Sequence, residues 1–277
     1  MKSKSVIPGY HLSLGITMFF VSLFLFIPLA AFLLFASGMG LEKFIQAATD
    51  YRNVHAYAIS FFCALAAALI NCVFGLILAW VLIRYDFKGR RIMDALIDLP
   101  FALPTAVAGI ALTTLYAENG WVGQFLYSIG IKSAFSPIGI TIALVFVGIP
   151  FVARSVQPVL RDLDPQLEEA ARLYGTSNWT TFRRIIFPEL LSPLLTGFAL
   201  AFSRGIGEYG SVVFIAGNMP YETEIAPLMI MTKLEQFDYQ SAAAIAIVMM
   251  VLSLTILLGI HGYQSYRLKS IGAGFNN

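Results

Sequence analysis

Asp164-Pro165-Gln166-Leu167-Glu168-Glu169-Ala170-Ala171-Arg172-Leu173-Tyr174-Gly175, followed by Ile185-Ile186-Phe187-Pro188, is a polar island between long apolar runs. Asp164 is placed to cap a helix, with Pro165 in its first turn and Glu168 and Glu169 where the helix dipole favours negative charge. Leu167, Ala170, Ala171 and Tyr174 form a short face of small and apolar groups at helical spacing. Gly175 suits a left-handed stop. Thr176 or Ser177 can cap a second helix, which the pattern predicts to run to about Ile186, with Pro188 marking its end. Residues 154–190 therefore read as helix, glycine turn, helix. Such an amphipathic loop either lies on a membrane surface or docks against another protein, and Ala170 and Ala171 would allow close approach.

Outward from this island the chain is apolar. Of its 277 residues, 58% are hydrophobic and 12% charged, about half the charge of a soluble domain of that length. Six apolar segments can be drawn, at about 14–36, 56–83, 99–116, 138–153, 191–216 and 241–260. They predict an all-α integral membrane protein of six transmembrane helices. Lys2 and Lys4 precede the first run as in a secretory signal, but the run from about Leu14 to Ala36 exceeds the 7–15 residues of a signal core, so it reads as an uncleaved span.

Charge placement orients the spans. Six crossings put both termini on one side, with Lys2, Lys4, Arg84, Lys88, Arg90, Arg91, Arg154, Arg161, Arg172, Arg183, Arg184, Arg267 and Lys269. The opposite loops hold only Lys43, Arg52, Lys132 and Lys233. Thirteen against four is a positive-inside bias that makes both termini and the island cytoplasmic. The expected division is a cytoplasmic N-terminus at 1–13, a transmembrane domain at 14–263 containing the loop at about 154–190, and a cytoplasmic tail at 264–277.

Several chemistries are disfavoured. The net charge of +2 gives no reason to expect nucleic acid as a partner. Cys63 and Cys72 stand nine positions apart, about 13 Å along a helix, too far for a disulfide. No cysteines and histidines have metal-site spacing, and His11, His55 and His261 each lie near a span end. No nucleophile–base pair is evident. No Gly-x-x-x-x-Gly-Lys-Ser/Thr phosphate loop occurs, so any ATP must be bound by another subunit.

Two groups inside the spans invite a functional reading beside a structural one. Arg204 and Glu208 fall near the middle of the fifth segment, four apart, where ionisable groups are costly and should face a bundle interior or cavity. They are either a mutually satisfied pair or part of a pathway in which Arg204 attracts an anion and Glu208 limits how tightly it binds. Pro100 and Pro104, with Thr105 and Gly109, either start a helix or form a hinge or constriction. Gly148-Ile149-Pro150 has the same ambiguity. The run Arg84 to Arg91 reads as an orientation determinant and lipid-headgroup contact. Asn218-Met219-Pro220 with Glu222 and Glu224 faces outward, where an external partner would be received.

The pattern Glu169-Ala170-Ala171, Gly175, Ile185 and Pro188 resembles the cytoplasmic-loop signature of ABC importer permeases, with Phe187 where that family usually has leucine. The resemblance covers twenty residues here and implies that this loop is the coupling helix between spans 4 and 5, seated in a cleft of an ATP-binding subunit. Leu99 to Gly109, Pro150 to Leu160, Arg204 to Gly210 and Phe214 to Asn218 are similar to sulfate and molybdate permeases. From roughly residue 10 to 265 the chain looks most like T-type permease subunits of sulfate/thiosulfate importers. The resemblance implies a non-catalytic subunit of the cytoplasmic (inner) membrane. Its expected partners are a dimer of ATP-binding cassette subunits holding ATP and Mg, a sister permease, and an external sulfate-binding protein. It implies no cofactor on this chain. A molybdate or tungstate permease shares this architecture. An ion-coupled secondary transporter, from another class, would have no need of the docking loop.

Overall fold

The computed structural model describes residues 9–274, and among them every regular element is helical. Lys2 and Lys4 lie outside the described residues, as do the side chains of His11, His261, Arg267 and Lys269. Helix α1 (Tyr10–Val21) passes through a π-helical turn at Ser22–Phe26 into α2 (Ile27–Ser37). The cause is Pro28 in the first turn of α2. Its ring displaces the carbonyl four residues back, and the wider turn accommodates the clash without ending the helix. Leu12–Ser37 is thus one apolar stretch of 26 residues, buried only at Ala36.

Helix α3 (Leu41–Thr49) is short and amphipathic, and α4 (Tyr51–Arg84) runs for 34 residues. Asp50 caps α4 by accepting the Arg52 N–H at 3.0 Å. The region predicted as a third span at 99–116 is not one helix. It follows α5 (Arg90–Ile97) and is divided into α6 (Leu99–Ala102) and α7 (Thr105–Tyr116), with extended backbone at Leu103 and Pro104 between them. Pro100 sits in the first turn of α6 and Pro104 immediately precedes α7, so both occupy helix starts. A residue before proline avoids the helical region, which explains Leu103.

After α8 (Trp121–Ser128), helix α9 (Pro137–Asp162) runs well past the expected limit of 153, carrying Pro150 and Pro158 inside it. The loop supplies α10 (Pro165–Leu173) and α11 (Asn178–Thr181). A second π-helical turn, Phe182–Ile186, then leads into α12 (Phe187–Ile206). The helix expected to stop at Pro188 therefore continues for another eighteen residues. The device is the same as at Pro28, a π turn just before a proline in the next first turn. The fifth segment was expected to reach 216, but α12 ends at Ile206 and a separate α13 (Val212–Ala216) follows. Helices α14 (Ala226–Glu235) and α15 (Tyr239–Gly274) complete the described chain.

Five described helical stretches are long and apolar enough to cross a membrane: Leu12–Ser37, Tyr51–Arg84, Pro137–Asp162, Asn178–Ile206 and Tyr239–Ile260. Helix α7 is apolar but shorter. The core is built by α4, α9 and α12, with Ala64, Ala67, Leu144, Val152, Leu190 and Phe202 buried among them. Phe61 meets Phe202 edge to face at 5.7 Å between ring centroids. Lipid is as apolar as leucine, so close packing must hold such helices together, and small residues permit it. A Cβ added at Gly197 of α12 would stand 2.7 Å from the Val152 Cα of α9. Because that neighbour is backbone, Gly197→Val is expected to cost about 1–3 kcal/mol. Thermal unfolding of the detergent-solubilised chain checks this, and an unchanged midpoint would contradict the close approach.

Candidate functional site

The polar loop is held by local chemistry. Asp164 accepts the Gln166 N–H at 2.9 Å and opens α10. Gly175 has φ +72°, a left-handed stop. Thr176 donates through its hydroxyl to the Ala171 carbonyl at 2.7 Å, and its N–H reaches the same oxygen at 3.1 Å. Ser177 accepts the Thr180 N–H at 3.2 Å and starts α11.

The expected small apolar face is divided by the fold. Ala171 is buried, whereas Glu169, Ala170 and Gly175 are exposed. Leu173 and Tyr174 are 89% and 88% exposed, and Leu167 and Trp179 also stand out from the surface. Ile185 is half-buried within the π turn and Pro188 is exposed at the start of α12. Glu168 forms an ion pair with Arg84 at 2.5 Å, and the Arg84 guanidinium lies 5.5 Å from the Trp80 ring centroid. The loop is therefore fastened to the end of α4 and is continuous, through α11, with α12.

Arg204 and Glu208 do pair, but not in mid-helix. Arg204 occupies the last turn of α12, and Glu208 lies in the turn beyond it. Glu208 is 1% exposed and also accepts the Ser211 N–H and hydroxyl, each at 3.0 Å. Arg204 retains 41% side-chain exposure. Glu208 thus has donors from two sources, while the arginine keeps an open side.

Tertiary structure brings the two candidate groups together. A Cβ at Gly210 would stand 3.0 Å from the Thr105 Cβ, and one at Gly109 would stand 2.5 Å from the Ser211 carbonyl oxygen. The turn holding Glu208 therefore rests on the first turn of α7, just after the break at Pro104. Pro100 is buried and Pro104 exposed, so the two prolines do not share an environment.

Two further polar nodes escaped the sequence reading. Arg154 donates from Nε and Nη2 to both carboxylate oxygens of Asp98, at 2.9 and 2.6 Å. It also donates from Nη1 to Asp94 and to Gln157, both at 2.6 Å. Burial alone would raise the Asp94 carboxyl's pKa, but hydrogen bonds from Arg154 and Gln157 hold it below the usual carboxylate range. That folded-state depression means that its stabilising contribution is present above the ordinary carboxylate pKa and is lost as pH falls through the lowered value.

At the other node, Arg52 binds Glu224 through two hydrogen bonds, at 2.7 and 2.8 Å, and Glu224 is 1% exposed. Glu224, read in the sequence as part of an outward-facing segment, has its carboxylate buried in this pair, where it cannot meet an external partner. The i, i+4 spacing of Asp94 and Asp98 was a signal that they share a helix face; nothing local identified their arginine. Among the described residues no cluster of three or more His, Cys, Asp or Glu could hold a metal ion.

Residues 72–270 match the binding-protein-dependent transport system inner membrane components, and the chain belongs to that family. It is 46% identical over 265 residues to the sulfate transport system permease protein CysT of Salmonella typhimurium, covering 96% of each chain. It is 48% identical over 251 residues to the CysT protein of Synechocystis sp., covering 91% of this chain and 88% of that one. A bacterial ABC transporter involved in import of the acidic polysaccharide alginate superposes with a TM-score of 0.76 at 17% identity, over 93% of this chain and 96% of that chain. That last likeness concerns the fold alone.

Proposed function

We propose that this chain is the membrane-spanning permease subunit of an ATP-driven sulfate importer of the inner membrane, with thiosulfate as a second substrate. The observation that carries the proposal is 46% identity to a sulfate transport system permease across 96% of both chains. In this reading the short α6–α7 segment supplies a sixth crossing beside the five long helices. Both termini and the α10 loop are cytoplasmic, as the lysine and arginine bias favours. The transmembrane domain is 14–263, flanked by cytoplasmic segments at 1–13 and 264–277.

Helix α10 is then the coupling helix, carried by Glu169, Ala170, Ala171 and Gly175, with Ile185 and Pro188 at the root of α12. Exposed Leu173 and Tyr174 are large apolar groups left in water, which suits a surface that another protein covers. Two ATP-binding subunits hold ATP and Mg, and no catalytic step falls on this chain. A sister permease completes the pathway and an external binding protein delivers the anion. When the ATPase dimer closes, α10 is displaced. The Arg84–Glu168 pair passes the motion to α4, and the continuous α11–α12 rod passes it to Arg204 and the Glu208 turn. Alternating exposure of that junction and the Pro104–Thr105 break to the two sides moves the anion inward.

Uptake of labelled sulfate by cells dependent on this chain tests the proposal. Thiosulfate should compete in excess; competition by molybdate alone, or uptake that persists without the ATPase subunit, would overturn it. A sharper test addresses the loop. Nothing lies within 4 Å of a Cβ at Gly175, so its constraint is φ +72° rather than space. A β-branched residue strains there. Gly175→Val is expected to insert normally but either to lose the ATPase subunit on copurification or to raise the ATP hydrolysed per sulfate imported. Unchanged stoichiometry with normal assembly would refute a coupling role.

A further inference from the structure

The Arg84 to Arg91 segment has a second feature that transport does not use. A cavity of about 600 Å³ lies between the end of α4, the start of α5 and the end of α9. Arg90, Arg91 and Arg161 line it together with Leu82, Phe87 and Ile92. None of these three arginines has a carboxylate at ion-pair distance among the described residues. Asp86 and Asp94 also line the cavity, but Asp94 is already bound by Arg154 and Gln157. Gly89 precedes α5 in a left-handed conformation and no side chain caps that helix, so its first-turn N–H groups add to the positive field.

What lies beside the cavity selects its ligand. The eight-residue helix α5 carries Ile92, Met93 and Leu96 exposed at 68%, 39% and 56%, with its charged residues on other faces. A helix with exposed apolar side chains and arginines at its start suits the boundary between headgroups and acyl chains. Basic pockets at the cytoplasmic ends of transmembrane helices are fitted to phosphate-bearing headgroups.

We infer that Arg90, Arg91 and Arg161 form a binding site for the phosphodiester of an anionic phospholipid of the cytoplasmic leaflet, with α5 lying along its acyl chains. Two arginines from the first turn of α5 and one from α9 grip the same phosphate, so the lipid ties the α4–α5 corner to the end of α9. This rests on the proposed orientation, which is testable separately.

The full chain, purified in mild detergent, is mixed with phosphatidylglycerol or phosphatidylcholine and retained lipid is measured by native mass spectrometry. Phosphatidylglycerol should be retained preferentially. Removing the three charges together as R90Q/R91Q/R161Q should weaken that retention by on the order of a hundredfold. The R183Q/R184Q variant, which removes exposed charge elsewhere on the same side, should retain it. Equal retention of the two lipids by the unaltered chain, or undiminished preference in the triple variant, overturns the inference, and the first outcome does not depend on any variant folding. Displacement of the lipid by millimolar inorganic phosphate would assign the cavity to a free anion and overturn the lipid assignment. Labelling of K88C from each side of the membrane tests orientation alone. Labelling from outside would sink the assignment to the cytoplasmic leaflet, while leaving the detergent measurement to report whether the cavity binds lipid at all.

Discussion

Replacing Arg52 with alanine will destabilise the chain by about 3 kcal/mol, the lower end of the cost of leaving one partner of a buried ion pair uncompensated. The lower end applies because Arg52 is 38% exposed, whereas Glu224 is 1% exposed and bears the penalty. What the pair secures is the segment between α13 and α14. There Asn218 and Tyr221 adopt positive φ without being glycine, a conformation that the surroundings must hold. Thr223 accepts the Met219 N–H at 2.9 Å, and Ser60 of α4 accepts the Ala226 N–H at 2.8 Å. Loss of Arg52 removes the charged anchor among these contacts. For a chain of this size the unfolding midpoint in detergent should fall by roughly 6–12 °C. The double variant R52L/E224L should recover most of that loss, since no unpaired charge remains. A midpoint for R52A equal to that of the unaltered chain would show that Glu224 is solvated or finds another donor.

Arg204→Ala should lower sulfate uptake at least about tenfold at normal membrane levels, a change of roughly 1.4 kcal/mol. Glu208 keeps two donors from Ser211 in this variant, so the turn against α7 should survive and subunits should assemble. Only the positive charge in the last turn of α12 is lost, and with it the attraction for a passing anion. Arg204→Lys should restore part of the uptake if charge at this position matters. A merely structural pair would behave differently: R204A would leave the transport rate per folded complex unchanged. Full uptake by R204A would remove Arg204 from the pathway.

The loop was readable because capping is chemistry within three or four residues. Asp164, Gly175 and Ser177 each act on near neighbours, and their roles can be assigned without knowing what the loop touches. The long apolar runs were readable because length and hydrophobicity alone decide whether a helix can cross a bilayer. The prolines were harder. Pro104 and Pro188 carry the same local restriction, yet one accompanies a break and the other is absorbed. A π turn forms before Pro188, where Phe182 stacks on Trp179 at 5.7 Å and meets Trp80 of α4 at 5.5 Å. The contact with Trp80 comes from another helix.

Sequence by itself thus determined a helical membrane chain, its polar loop, the orientation bias and the resemblance to importer permeases. Tertiary structure decided which charges meet. Arg52 finds Glu224 across 172 positions and Arg154 finds Asp98 across 56. It also set the Glu208 turn against Thr105, joining two candidate groups that the sequence left apart. The physical reason is that caps and hydrophobic spans depend on neighbours along the chain, whereas ion pairs and close helix approaches depend on where distant helices pack. In lipid that packing is set by small residues such as Gly109, Gly197 and Gly210, whose partners no local pattern reveals.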